Sequence, residues 1–273
     1  MPPWLIALLA VTLISLLSLI GVVTLSVGRH RLEKIIFLLV SFAVGAMLGG
    51  ALLHLIPASY EALGSGTLTG GLVLVGIVAF FVLEKFLHWQ HEHGAPEALE
   101  GATGHHGHSH VNAETGGNGA APFAKMNIIG AIGHNLIDGA IVAAAFLVSI
   151  PTGMVTTLAV MSHEIPQQMG NFGILVYGGY APKQALLYNL AAGLTGLIGA
   201  GALILLGTQI ENLADYLLPI TAGAFLYIAG SDLIPELNRR HSYPATKSVW
   251  QLIMILCGVG LIVGSLALGG HIH

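Results

Sequence analysis

Gly130-Ala131-Ile132-Gly133-His134-Asn135-Leu136-Ile137-Asp138-Gly139-Ala140-Ile141-Val142-Ala143-Ala144-Ala145-Phe146-Leu147-Val148 is an apolar run with a histidine, an amide and an acid set in its middle. Crossing the hydrocarbon of a bilayer takes about 20 mostly apolar residues in helical form. Working outward in both directions, the same pattern recurs, and it predicts eight spans at about 4–26, 34–57, 69–90, 125–149, 153–178, 183–207, 215–236 and 248–269. The composition agrees: 55% of the 273 residues are hydrophobic and 8% are charged, with a mean hydropathy of +0.82. A soluble globular domain carries roughly a quarter charged residues. The sequence therefore describes an all-α integral membrane protein, one transmembrane domain over 1–273.

Proline marks the cuts. Pro57 is expected to end the second span, Pro122 to precede the fourth, Pro151 to separate the fourth from the fifth and Pro182 the fifth from the sixth, leaving only Pro166 inside a span. The apolar run from Trp4 lacks the basic flank of a leader and is longer than a leader's apolar core, so it reads as a retained helix. Cys257 is the only cysteine, which excludes an internal disulfide. No basic tract stands out among nine Lys and Arg against thirteen Asp and Glu, so nucleic acid is excluded as a partner. The bilayer and the ions discussed below are the partners that remain.

The basic residues orient the chain, because cytoplasmic loops are enriched in Lys and Arg. With both termini outside, Arg29, Arg31, Lys34, Lys85, Lys125, Lys183, Arg239, Arg240 and Lys247 all fall inside, and the outer connections keep the acids Glu61, Glu211 and Asp215. The long connection at 91–124 is then a cytoplasmic loop, rich in histidine at His91, His93, His105, His106, His108 and His110. It has too few apolar residues for a core. It reads as a flexible loop that collects metal, since imidazole is the commonest metal-ligand side chain.

The chemistry sits at the middle of spans four and five. His134 and Asp138 are four apart and share a helix face. Span five reads Ser162-His163-Glu164-Ile165-Pro166-Gln167-Gln168-Met169-Gly170-Asn171, with His163 and Gln167 at the same spacing and Glu164 beside them. Each ionisable residue at that depth costs roughly 2.5 kcal/mol or more, so such residues are retained for a partner or a function. Hydrogen-bond glue between helices accounts for Asn135 and Gln168 but poorly for two histidines with two acids. The carboxylates of Asp138 and Glu164 balance one divalent cation. Imidazole plus carboxylate suits zinc, iron, manganese and their neighbours. Pro166 cannot donate to the Ser162 carbonyl and is expected to kink the helix beside a cavity.

These motifs resemble the ZIP (Zrt/Irt-like) family of divalent metal transporters. The match also runs through Leu53-His54-Leu55-Ile56-Pro57, Phe81-Val82-Leu83-Glu84-Lys85-Phe86-Leu87-His88-Trp89, and from Thr221 to Pro235-Glu236-Leu237, so it covers essentially the whole chain. The resemblance implies an eight-helix, usually homodimeric carrier in a plasma or inner membrane that moves zinc or related ions toward the cytoplasm. It implies a binuclear site built by helices four and five. His134, Asp138, His163 and Gln167 would surround the first ion, and Asn135 and Glu164, with Asp138 bridging, would face the second. The related subfamily reads HEIPHE followed by G-D; here Gln167, Gln168 and Asn171 stand in place of His, Glu and Asp, and Gly50 and Ala58 stand where an acid and a second His are often found. Zinc is the first expectation; a neutral amide ligand also admits iron, manganese or cadmium.

Two other classes are open on the residues. A metal sensor would bind without flux. An intramembrane metallopeptidase would need H-E-x-x-H, and Gln167 breaks that motif. His54 reads equally as an outer ligand or as an interface histidine, and Asp232 and Glu236 as an acidic exit or as partners of Arg239 and Arg240.

Overall fold

A computed structural model describes residues 1–94, 122–207, 209–210, 212–238 and 245–269. Eight helical spans run through them. Helix α1 covers Pro3–Leu16 and continues through a 3₁₀ stretch, Leu17–Val22, to Val23–Ser26. Helix α2 covers Arg29–Gly50, a π turn at Ala51–Leu55 and Ile56–Leu63; Gly64, at a φ of 64°, closes it in the left-handed conformation that glycine tolerates. Then follow α3 (Gly66–Gly94), α4 (Pro122–Val148), α5 (Ile150–Tyr177) and α6 (Pro182–Gly207). Helix α7 covers Leu213–Tyr227, a π turn at Ile228–Leu233 and Ile234–Asn238, and α8 covers Ala245–Gly269.

Seven of the eight are long and apolar enough to cross a membrane; α5 is the exception. It is long enough, but it carries His163, Glu164, Gln167, Gln168 and Asn171. The polar middle of α5 is kept from lipid: α5 is packed against α1, α2 and α4 with most of its length buried, and exposes large apolar residues only toward its ends. Large apolar residues such as Leu13, Val78, Leu187, Leu205 and Leu256 point outward from the other helices instead. An exterior of that kind is stable only against hydrocarbon.

Proline breaks less than the sequence suggested. Helix α2 does not end at Pro57 but runs on to Leu63, and Pro219 and Pro235 also lie inside α7, so Pro166 is not the only proline within a span. In α2 and α7 the pattern is the same: a π turn immediately precedes Ile-Pro. Proline offers no N–H to the carbonyl four residues back and its ring crowds it. Widening the preceding turn by one residue relieves that crowding without ending the helix. At Pro166 the helix continues without any such turn.

The helices pair through small residues. A methyl group at Gly45 would collide with the Ile255 carbonyl and one at Gly258 with that of Phe42, so α2 and α8 lie backbone to backbone. Gly76 and Gly223 do the same for α3 and α7, and Gly139 and Gly199 for α4 and α6. Glycine at a helix contact lets backbones approach and replaces hydrophobic burial, which membranes do not supply, with van der Waals packing. Helix α1 packs on α4, α5 and α6. The site therefore lies in a group formed by α1, α4, α5 and α6, flanked by α2, α3, α7 and α8.

A one-residue corner positions α4 against α5. Ser149 is extended (φ −163°, ψ 156°), and its hydroxyl accepts the Thr152 N–H while Pro151 occupies the first turn, where a missing N–H costs nothing. His134 precedes Ser149 by fifteen residues and His163 follows it by fourteen. At 1.5 Å per residue both stand about 21–22.5 Å from the corner, hence at one depth.

Candidate metal centre

Four side chains meet at that depth: His134 and Asp138 from α4, and His163 and Glu164 from α5. One ligand atom from each lies within 4.8 Å of all the others. His163 Nε2 is 3.1 Å from Asp138 Oδ2 and 3.3 Å from His134 Nε2; His134 Nε2 is 3.4 Å from Asp138 Oδ2 and 3.5 Å from Glu164 Oε1. The imidazoles meet edge to face at 85°. Asp138, His163 and Glu164 are buried at 2%, 1% and 0% exposure, and His134 is partly open.

The proton inventory of this cluster decides its chemistry. His163 Nδ1 lies 3.3 Å from the Ala159 carbonyl and Nε2 lies 3.1 Å from Asp138 Oδ2; both partners accept, and a neutral ring can donate to only one of them. With the proton on Nδ1, Nε2 is bare and directed at the cluster, the arrangement by which a backbone carbonyl orients a metal-binding histidine. Asp138 Oδ2 and Glu164 Oε1 are acceptors too when ionised. Glu164 Oε1 and Asp138 Oδ1 are buried without a hydrogen-bond donor. Acceptors converge here, and either added protons or a bound cation can satisfy their lone pairs. Bonds of about 2.0–2.2 Å to a tetrahedral ion hold ligand atoms about 3.3–3.6 Å apart. Three of the four separations, at 3.3, 3.4 and 3.5 Å, already lie in that range.

The other two residues singled out by motif are placed differently. Asn135 is buried, and its Nδ2 donates to the Ala131 carbonyl one turn back at 2.8 Å. Gln167 is half-buried on α5, one turn beyond His163. His54 Nε2 lies 3.2 Å from Thr152 Oγ1, joining α2 to the start of α5, which is the interface arrangement of the two considered for it. Helix α3 continues to Gly94, so His91 and His93 are on a helix, and the loop histidines beyond them lie outside the described residues. Arg239 and Arg240, expected beside Asp232 and Glu236, also lie outside them.

Motif reading missed a support layer. Gln168 Nε2 donates to Glu164 Oε2 at 2.6 Å, and Asn189 Nδ2 on α6 reaches both the Gln168 carbonyl, at 3.4 Å, and the Ser18 carbonyl of α1, at 3.0 Å. Ser18 lies in the 3₁₀ stretch of α1. The layer's signals in sequence were Gln168, read as hydrogen-bond glue, and a lone asparagine in the first third of an apolar helix. On α7, the Tyr227 hydroxyl donates to Glu84 of α3.

A family model described as ZIP zinc transporter matches residues 1–265. The chain belongs to the ZIP zinc transporter family. It is 29% identical to "Zinc transporter YKE4" of Saccharomyces cerevisiae, over 95% of this chain and 79% of the relative. It is 31% identical to "Zinc transporter ZIP13" of Homo sapiens, over 86% of this chain and 71% of the relative. With "Zinc transporter ZIP4" of Mus musculus it shares 31% identity over 94% of this chain and 46% of the relative. This ZIP protein is thus a multi-pass membrane protein and a metal transporter.

Proposed function

We propose that this ZIP protein carries zinc across a membrane toward the cytoplasm, and that His134, Asp138, His163 and Glu164 hold the ion midway, with Asn135 and Gln167 at the margins of the same site. The observation that carries this reading is the convergence of four ligand atoms within 4.8 Å of one another, four of their separations at 3.1–3.5 Å, with two buried acceptors left unpaired. Two carboxylates and two neutral imidazoles match the charge of one dication. Zinc comes first because the relatives are named for it; iron, manganese and cadmium suit the same donors. The outer termini follow from the placement of all nine basic residues on one side, and the inward direction is what the family resemblance implies. A homodimer, and a loop at 91–124 that gathers ions for or from the site, complete the reading.

The carrier is separated from a non-transporting sensor by flux. Purified protein in vesicles loaded with a zinc-sensitive dye is expected to admit zinc, and Asp138→Ala is expected not to. Zinc binding in detergent without any dye response in vesicles would establish the sensor instead.

A further inference from the structure

Resting on that site, we propose that it holds a single divalent ion, and that Gln168 is the residue that closes the second position. A binuclear centre holds two ions about 3.5–4 Å apart and needs carboxylates whose oxygens face both. Glu164 cannot serve both. Its Oε1 faces His134 at 3.5 Å, but its Oε2 accepts the Gln168 amide at 2.6 Å, a short bond of the charge-assisted kind. Gln168 and Glu164 are 1% and 0% exposed, so no solvent competes for this bond. The Gln168 backbone is itself held by Asn189, which is anchored on Ser18 of α1.

The amide therefore presents its N–H end to the oxygen that a second ion would need, and the positive end of that dipole repels a cation. Asn135 donates its amide N–H to Ala131 and so has only a neutral oxygen to offer, which adds no charge to balance a second ion. Charge points the same way. Asp138 and Glu164 neutralise one dication, and Gln168 and Asn171, where the related subfamily has acids, neutralise none. A second dication would leave two uncompensated charges among buried residues, an arrangement proteins avoid. Asp138 Oδ1, buried and unpaired, is available to the same single ion as a second oxygen. Gln168 is thus a positioning residue: it turns one oxygen of Glu164 into the site and withdraws the other.

Replacing the amide by a carboxylate removes the donor and adds a charge, so Gln168→Glu should open the second position. Equilibrium dialysis of the full chain in detergent with radioactive cadmium counts bound ions. Because loop histidines also bind, the count is read as the difference from His134→Ala/His163→Ala in the same background. A difference of one ion in the wild type and two in Gln168→Glu is expected. A difference of two in the wild type overturns the single-ion proposal, and a difference of one in Gln168→Glu overturns the role of Gln168. No difference in the wild type removes the underlying site. X-ray absorption of the cadmium-loaded wild type needs no variant: metal–metal scattering at about 3.5–4 Å would overturn the proposal, and its absence is expected.

Discussion

His163 Nε2 stands 3.1 Å from Asp138 Oδ2, with its own Nδ1 3.3 Å from the Ala159 carbonyl. This pair joins α5 to α4 at the depth where the lone pairs converge. An ion bound there stabilises the fold by mass action, by about 2.7 kcal/mol at a hundredfold excess over the dissociation constant. Zinc or cadmium should therefore raise the melting temperature of the wild type, and His134→Ala or Asp138→Ala should abolish the rise. Variants that keep the full shift would move the site elsewhere.

Without metal the same convergence is a cost, since a buried polar group without a partner is unfavourable by roughly 1–3 kcal/mol. Asp138→Asn supplies an N–H donor beside His163 Nε2 and removes one charge. Metal-free Asp138→Asn should melt at or above the wild-type temperature, by the equivalent of about 1–2 kcal/mol. A lower melting temperature in chelator would show that Asp138 serves packing rather than binding.

Glycines on one helix separate close packing from open space. A methyl group at Gly139 would meet the Gly196 carbonyl, whereas Gly130 on the same helix has nothing within 4 Å of the added atom. Gly139→Ala should destabilise the protein by roughly 1–3 kcal/mol, the cost of an overpacked contact. Gly130→Ala should be neutral or stabilising by about 0.5–1 kcal/mol. Thermal aggregation in detergent ranks the two; equal effects would mean that α4 and α6 are not in backbone contact.

The central residues of α4 and α5 were legible because ionisable side chains in an apolar run have few structural explanations. His134, Asp138, His163 and Glu164 are brought together as their spacing suggested. The end of α2 was not legible: proline is a reliable stop only when the turn before it cannot widen, and nothing local in Leu53-His54-Leu55-Ile56-Pro57 announces a π turn. Of the support layer, only Gln168 was legible, as hydrogen-bond glue. Gln168, Asn189 and Ser18 lie far apart in sequence, and their contacts exist only once α1, α5 and α6 are packed. The glycine pairs are hidden for the same reason, since a glycine's partner is a backbone carbonyl on another helix.

Deleting about 95–118 should slow or deregulate transport without preventing it. The segment is polar and histidine-rich, and it lies between α3 and α4 rather than within either. Deletions in such segments leave the packed part intact. Vesicle uptake by the deletion variant should stay well above background; a folded variant at background would make the loop histidines essential.

Gln167→His should tighten binding, slow turnover and make binding more sensitive to acid. The change restores the related subfamily's residue at the position one turn beyond His163, on the face that carries the site. Imidazole binds first-row dications better than an amide oxygen does, so the half-saturating concentration should fall, by roughly an order of magnitude if one ligand of moderate strength is gained. Unlike the amide, imidazole titrates near pH 6.5 and must be deprotonated to bind. The added dependence has a definite sign: the gain in affinity is present above about pH 6.5 and is lost as the pH falls below it. A tighter ion also leaves more slowly, so maximal flux should fall together with the half-saturating concentration. Zinc uptake by the two proteins over a pH series between about 5.5 and 8 decides it. If the half-saturating concentration and the pH profile are both unchanged, residue 167 does not touch the transported ion and the first coordination shell is completed without it.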